Sequence, residues 1–239
     1  PKGSPVVKQP SQVPHAATGI LSLVLLLATI PVLPPIPAFG SSEEEIASFY
    51  ASHATRGYLY QFMAGLALLG ALWFLGYLYT RLRREVPGSP LPVIMLAAGA
   101  AWVCFAVVFL GLFQVFSVWA DDPDTHALLK AFSDAYVLGF MFNVFPAGIM
   151  VAAASWSLRP SAGWPGWLKP LGVLAVATQV LGGVPLIFPT GPLKAGGLIT
   201  YAPFFTAVLW ICLASCSATR WERSAADQHR NGYAAARTA

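Results

Sequence analysis

Residues 91–119 read LPVIMLAAGAAWVCFAVVFLGLFQVFSVW, a stretch without a charged side chain. About 20 consecutive apolar residues are enough for a helix to cross roughly 30 Å of hydrocarbon. A helix that is apolar on every face has to be buried, either in a large core or in a membrane. The stretch therefore predicts a membrane-spanning helix and sets the class of the whole chain.

The rest of the chain repeats this pattern. Hydrophobic residues make up 56% of the 239 residues and charged residues only 10%, which is too apolar for a soluble domain. A transmembrane β-barrel would instead alternate apolar and polar residues in segments of about ten. The predicted spans are residues 17–36, 58–80, 91–119, 132–156, 168–188 and 197–218.

The gaps between these spans sort the charges by side. Eleven basic and three acidic residues leave one side at +8, while three basic and seven acidic residues leave the other at −4. Because basic loops stay in the cytoplasm, both termini are predicted to be cytoplasmic. We expect the basic rim to meet anionic lipid headgroups, and we do not expect nucleic-acid binding. The basic residues of this inner rim are Lys2, Lys8, Arg81, Arg83, Arg84, Arg159, Lys169, Arg220, Arg223, Arg230 and Arg237.

The predicted fold is an all-α integral membrane bundle of six transmembrane helices with a short amphipathic helix on its outer surface. Residues 1–16 form a cytoplasmic N-terminal segment, 17–220 the transmembrane domain, and 221–239 a polar tail that is helical only briefly. The first span also resembles a signal peptide with a cleavage site at residues 38–40. We expect it to be retained as a first helix that loosens from Pro31 onward.

The first outer gap begins with a helix start signal. Ser41 and Ser42 precede Glu43, Glu44 and Glu45, a pattern typical of a capping box with acids at the helix N-terminus. Apolar residues then recur at helical spacing, which predicts an amphipathic surface helix over about residues 41–56. His53 near its end is either a ligand or proton acceptor, or simply part of the amphipathic face.

The second outer gap holds the densest set of potential metal ligands, Asp121, Asp122, Asp124 and His126. The structural alternative is that Asp124 caps the next helix while the other acids are solvated. We predict no metal here and treat both outer gaps as a surface for a partner or a cation. Lys130 and Asp134 are four residues apart, which favours an ion pair.

The most central polar residues of the spans are Asn143 and Gln179. Small residues at helical spacing around each predict that both face neighbouring helices, where they bond to each other with Thr206 as a third member. Such amides are either interhelical contacts worth on the order of 1 kcal/mol or a polar site at the bilayer midplane. Pro146 is expected to kink the same helix.

Two further patterns concern surfaces. The inner loop from Arg159 to Lys169 and its tryptophans predict an anchor at headgroup level, with indole rings beside basic residues. These tryptophans are Trp156, Trp164 and Trp167. Ala97, Ala101, Cys104 and Gly111 form one stripe on span three, which indicates a packing surface. The three cysteines all lie in predicted spans and are expected to pack without a disulfide.

Several chemistries are excluded by what the spans lack. All four histidines lie outside the predicted spans, so no axial haem ligand is available in the bilayer. A Schiff base or ion pump needs a Lys or carboxylate in the interior of a span, and none is present there, because Asp134 and Lys169 lie at span ends. Phosphate-binding loops and hydrolase motifs are also missing. We predict no cofactor, with bound lipids as the expected small-molecule partners.

Residues 43–85, EEEIASFYASHATRGYLYQFMAGLALLGALWFLGYLYTRLRRE, resemble a group of small, Ala-rich, six-span actinobacterial membrane proteins without an assigned activity. The FYASH segment and the later GPLKAGG loop carry most of the resemblance, which covers much of residues 40–220. It implies a bacterial plasma membrane and no particular catalytic residue.

These observations favour a non-catalytic accessory or assembly subunit that packs against partner helices, lipids or embedded pigments. One alternative is a small lipid or solute transporter that uses the midplane amides. A second alternative is an enzyme at the membrane surface that uses the outer Asp and His residues.

Overall fold

A computed structural model of the chain describes residues 13–34, 36–159, 163–188 and 198–238, excepting the side chains of 198–201 and 229–238. All regular elements in these ranges are helical, so the all-α prediction is confirmed. The predicted N-terminal segment falls mostly, and the GPLKAGG loop entirely, outside the described residues. The helices are α1 Val13–Thr29, α2 Glu43–Glu85, α3 Leu91–Trp119, α4 His126–Phe142, α5 Val144–Ser157, α6 Leu168–Gly182 and α7 Leu198–Thr238.

Five helical segments of the described residues are long and apolar enough to cross a membrane, which indicates a multi-pass membrane protein. They are α2, α3, α4 together with α5, α6 with the turn that follows it, and α7. Six spans were predicted, and the difference is α1. Its 17 residues reach only about 25 Å at 1.5 Å per residue. It ends at Thr29 because Ile30 precedes Pro31, and the residue before a proline disfavours helical geometry.

Helices α2 and α7 are longer than predicted. The region 41–56 does not form a separate surface helix, because α2 continues without interruption for 43 residues, or about 65 Å. Its first turns bury Ile46 and Tyr50 against α3 and α4. Helix α7 likewise continues to Thr238, although the tail was predicted to be helical only briefly.

The helices form a closed ring in chain order. Helix α2 packs between α1 and α3, α3 then packs on α5, and α5, α6 and α7 follow. Contacts between α7 and α1 close the ring. Helix α4 leaves the ring and leans on α2 and α3 at the Glu43 end of α2.

The fourth predicted span is interrupted at Asn143. The backbone N–H of Asn143 is shared between the carbonyls of Gly139 and Phe140, both 3.2 Å away. Pro146 lies one turn later and has no N–H to donate, which explains an interruption at this place. The two halves on either side of the break pack in different hydrophobic cores. Helix α4 supplies Leu129, Tyr136, Val137 and Met141 to a small core at the Glu43 end, and α5 supplies Ala147, Met150, Val151, Ala153 and Ala154 to the main core.

Helix α1 is held in the ring by a serine of α7. The Ser215 hydroxyl donates to the Ala16 carbonyl and accepts from the Ile20 N–H at 3.1 Å. An uninterrupted helix would pair these two backbone groups with each other, so the hydroxyl enters the hydrogen-bond ladder of α1. Gly19 makes room for this contact, since a Cβ there would lie 2.8 Å from the Ser215 Cβ.

Replacement of Ser215 with alanine should loosen α1. We expect a loss of about 1 kcal/mol, because two hydrogen bonds to α1 disappear while the freed backbone groups can bond to each other. Thermal unfolding of the purified protein in mild detergent measures the effect. Ser217→Ala is the matched control, since the Ser217 hydroxyl bonds only to Leu213 of its own helix at 2.8 Å. Equal losses from both variants would contradict the account of α1.

Candidate functional site

Asn143 and Gln179 are both buried, with 4% and 2% of their surfaces exposed. The Asn143 Nδ2 donates to the Trp102 carbonyl of α3 at 3.2 Å. Gln179 Nε2 donates to the Pro203 carbonyl of α7 at 2.5 Å. Asn143 therefore ties the junction of α4 and α5 to α3, and Gln179 ties α6 to α7. The predicted hydrogen bond between Asn143 and Gln179 is absent.

Thr206 belongs to the Gln179 side of this cluster. Its hydroxyl oxygen lies 3.4 Å from Gln179 Nε2 and 2.9 Å from the Pro203 carbonyl that it donates to. Thr178 of α6 lies 2.6 Å from the same oxygen. The sequence thus predicted the contact between Gln179 and Thr206 and missed the contribution of Thr178.

A small cavity of about 10 Å³ lies between the two amides. The side-chain oxygens Asn143 Oδ1 and Gln179 Oε1 have no hydrogen-bond partner among the described residues. A buried acceptor left unpaired costs about 1–3 kcal/mol. The cavity is lined by Trp102, Phe140, Asn143, Val144, Ala147, Gln179 and Phe204.

A larger apolar pocket of about 170 Å³ adjoins this cavity. The two share the rings of Phe140 and Phe204, whose centroids are 5.7 Å apart. Ile30 and Phe205 line the pocket and are exposed, so it reaches the outer surface of the bundle. Its size and lining suit part of a hydrocarbon chain.

The two predicted outer gaps approach each other at the Glu43 end of α2. Glu43, Glu44 and Glu45 occupy the first turn of α2, and the Ser42 hydroxyl accepts from the Glu45 N–H at 3.2 Å. The pKa of the Glu44 carboxyl is lowered by a backbone hydrogen bond first, then by the Ser42 hydroxyl and by nearby His126. Ser42 therefore caps α2, and the three glutamates occupy its first turn.

The aspartates of the second gap serve a tight turn. Asp122 caps the short turn 123–125, because its Oδ1 accepts from the Asp124 N–H at 3.1 Å. Asp124 was predicted to cap α4, but the cap position of α4 is Thr125 and makes no side-chain cap bond. Asp121 is exposed, and His126 Nε2 lies 3.2 Å from the Ala120 carbonyl. Among the described residues, no group of three or more His, Cys, Asp or Glu side chains is placed to hold a metal ion.

His53 is engaged within its own helix. Its Nδ1 lies 2.9 Å from the Phe49 carbonyl and 2.9 Å from the Ser52 hydroxyl, and the ring stacks on Phe49. These contacts favour the amphipathic-face interpretation over a ligand role.

The ion pair between Lys130 and Asp134 is confirmed, with 3.0 Å between Nζ and Oδ2. Both partners also hold the turn before α2. Lys130 Nζ donates to the Ser41 carbonyl at 2.9 Å, and Asp134 Oδ1 accepts from the Gly40 N–H at 2.9 Å. The pair thus fixes α4 to the start of α2.

The opposite end of the bundle contains a charged cluster that the sequence did not predict. Arg81 is only 7% exposed, and its guanidinium lies between the rings of Trp164 and Trp221, 4.2 and 4.1 Å from their centroids. Glu85 pairs with Arg81 Nε at 3.0 Å and accepts from Trp164 Nε1.

This cluster corrects the prediction for one tryptophan. Trp164 is buried, with 3% of its surface exposed, whereas Trp156 and Trp167 are exposed, as expected of headgroup anchors. Gly163 allows the loop to reach the cluster. Its φ of +87° suits glycine, and a Cβ at this position would collide with the Trp221 ring.

The exposed face of α3 carries a regular seam. Its residues recur at alternating steps of three and four, the spacing of a and d positions in a left-handed helix pair. A Cβ added at Gly111 would meet nothing within 4 Å, so the seam is open at this position. Gln114 is exposed beside the seam. The α3 seam consists of Ile94, Ala97, Ala101, Cys104, Val108, Gly111, Val115 and Val118, all exposed.

No family model matches this chain, and neither the curated proteins nor the solved structures contain a detectable relative.

Replacement of Arg81 with lysine should destabilise the protein although the charge is kept. Lysine lacks the planar guanidinium that stacks on two rings and donates to Glu85. We expect a loss of about 1–3 kcal/mol, measured by thermal unfolding in detergent. The control is Arg83→Lys, because Arg83 is exposed and lies 5.9 Å from a single ring, that of Tyr79. A loss no larger than the control's would show that the stacking contributes little.

Proposed function

We propose that this chain is a non-catalytic accessory or assembly subunit of a larger complex in the bacterial plasma membrane. The observation that carries the proposal is the α3 seam, which is exposed along its whole length. Lipid tails can cover an apolar helix face of any shape. Small residues that recur on one face allow another helix to approach closely. The partner is a transmembrane helix of another integral membrane protein.

Gln114 supports a protein partner at this face. It is an exposed amide on a helix that is otherwise apolar. Hydrocarbon offers no hydrogen bonds to an amide, so a polar group of a neighbouring helix would stabilise it. Helix α3 is also the least buried of the five long apolar segments, which leaves it the most surface for a partner.

The proposed topology has six crossings and cytoplasmic termini. Helix α1 supplies the sixth crossing, because it packs within the ring between α2 and α7 although it is short. The Arg81 cluster then lies at the cytoplasmic end, and the turn at Asp122 lies outside. Excess Lys and Arg at the Arg81 end supports this orientation, and the resemblance of residues 43–85 supports a bacterial plasma membrane.

A lipid transporter is the second candidate. The apolar pocket favours it, because the pocket reaches the bundle surface and adjoins the polar cavity at Phe140 and Phe204. A cavity of about 10 Å³ at the amides is too small for an organic solute, so a solute transporter is less well supported. Asp122, His53 and His126 have local contacts within their own turns and helices, so an enzyme is the weakest of the three.

A photocrosslinking side chain placed in turn at residues 100 to 112 tests the accessory-subunit proposal. We expect crosslinks in native membranes to one defined membrane protein, with yields that peak at the seam positions 101, 104, 108 and 111. Gly111→Leu should abolish the crosslink at 108, because a larger side chain separates the helices. Mass spectrometry of the products identifies the crosslinked protein, and gel analysis measures the crosslinking yield at each position.

Gly76→Leu is the matched control for this experiment. A Cβ at Gly76 also meets nothing within 4 Å, but Gly76 lies on α2 away from the seam. The control should leave every crosslink in place. Crosslinks only to lipid, only to a second copy of this chain, or with no period along α3 would each overturn the proposal.

Cysteine labelling tests the orientation. In a background with Cys104, Cys212 and Cys216 replaced by alanine, a membrane-impermeant maleimide on intact cells should label Asp121→Cys. It should label Arg84→Cys only after the cells are permeabilised. Both side chains are exposed, so access depends on the side of the membrane. The reverse pattern would invert the topology.

A further inference from the structure

Two buried hydrogen-bond acceptors lie beside one small cavity. Asn143 Oδ1 and Gln179 Oε1 are unpaired among the described residues, and both side chains line the same cavity. Both residues are more than nine-tenths buried. Native proteins leave few such groups unpaired, so each one calls for a partner.

The orientation of each amide follows from its other contact. The Trp102 and Pro203 carbonyls can only accept, so the nitrogens of Asn143 and Gln179 must point toward them. Rotating either amide by half a turn would set an oxygen against a carbonyl oxygen. The two side-chain oxygens are therefore the groups left for the cavity, and the missing partner has to be a donor.

We infer that a single water molecule occupies this cavity and bridges the two amides. The water donates one O–H to Asn143 Oδ1 and the other to Gln179 Oε1. The number of donors matches the number of unpaired acceptors. About 10 Å³ is also close to the smallest space that holds one water molecule. The bridge joins the break between α4 and α5 to the last turn of α6.

A cation would fit the space less well. The lining residues are neutral, and no carboxylate is among them. A charge in the apolar interior without a counter-charge costs free energy, whereas a neutral donor introduces no charge. The inference is independent of the α3 seam, so the two proposals can fail separately.

Asparagine-selective ¹⁵N labelling provides a direct test with the full chain in detergent. The sequence has two asparagines, Asn143 and Asn231, so the spectrum contains two side-chain amide signals. The signal lost in Asn143→Leu identifies Asn143. We expect a cross-peak between its Nδ2 protons and a long-lived bound water. Its absence at the Asn143 signal would overturn the inference.

A double-mutant cycle gives a second readout. Because one water would serve both acceptors, Asn143→Leu and Gln179→Met should lower the melting temperature together by less than the sum of the separate shifts. Asn143→Leu with Ser117→Ala is the control pair, because Ser117 bonds within α3; its shifts should add. Additive shifts for the amide pair would count against the water.

The same assay separates water from a cation. The melting temperature of the unmodified protein should be the same in ammonium, potassium and choline chloride at equal ionic strength. A rise in ammonium or potassium that Gln179→Met removes would show a cation site and overturn the water assignment. If Asn143→Leu does not fold, Asn231→Gln identifies the other asparagine signal, and the signal that remains belongs to Asn143.

Discussion

The break at Asn143 is the constraint on which the rest of the arrangement depends. Pro146 cannot donate to the preceding turn, so the helix divides where its backbone can no longer pair. The division lets α4 lean on α2 and α3 while α5 stays in the ring between α3 and α6. Without it, one straight helix would have to serve both cores. The amide of Asn143 then stabilises the break from outside, through the Trp102 carbonyl.

The sequence predicts the features that depend on local pattern. Apolar length gave the long helices, the Ser42 and Glu45 spacing gave the start of α2, and the four-residue spacing gave the pair of Lys130 with Asp134. Element ends were less predictable. Nothing at residue 56 marks whether a surface helix stops or joins the next span, because Arg56 suits either an exposed turn or an exposed helical position.

The two polar clusters show where such prediction ends. Asn143 and Gln179 stand out because amides are rare in apolar spans, yet their oxygens and nitrogens are assigned only by carbonyls from distant helices. The stacking on Arg81 has no local signal at all. It joins Arg81 to tryptophans more than 80 residues away in the sequence. In the sequence alone, two tryptophans near basic residues are equally consistent with membrane anchors.

The closure of the ring by Ser215 has a consequence for biosynthesis. The serine and the Ala16 carbonyl it binds are 199 residues apart, so α1 reaches the membrane long before its partner is translated. Contacts of such high sequence separation form late. If α1 crosses the bilayer as proposed, it can pack there on α2 but not on Ser215 until the ribosome has made α7. A chain whose synthesis stops before α7 leaves uncovered the face of α1 that Ser215 and the rest of α7 contact in the complete bundle.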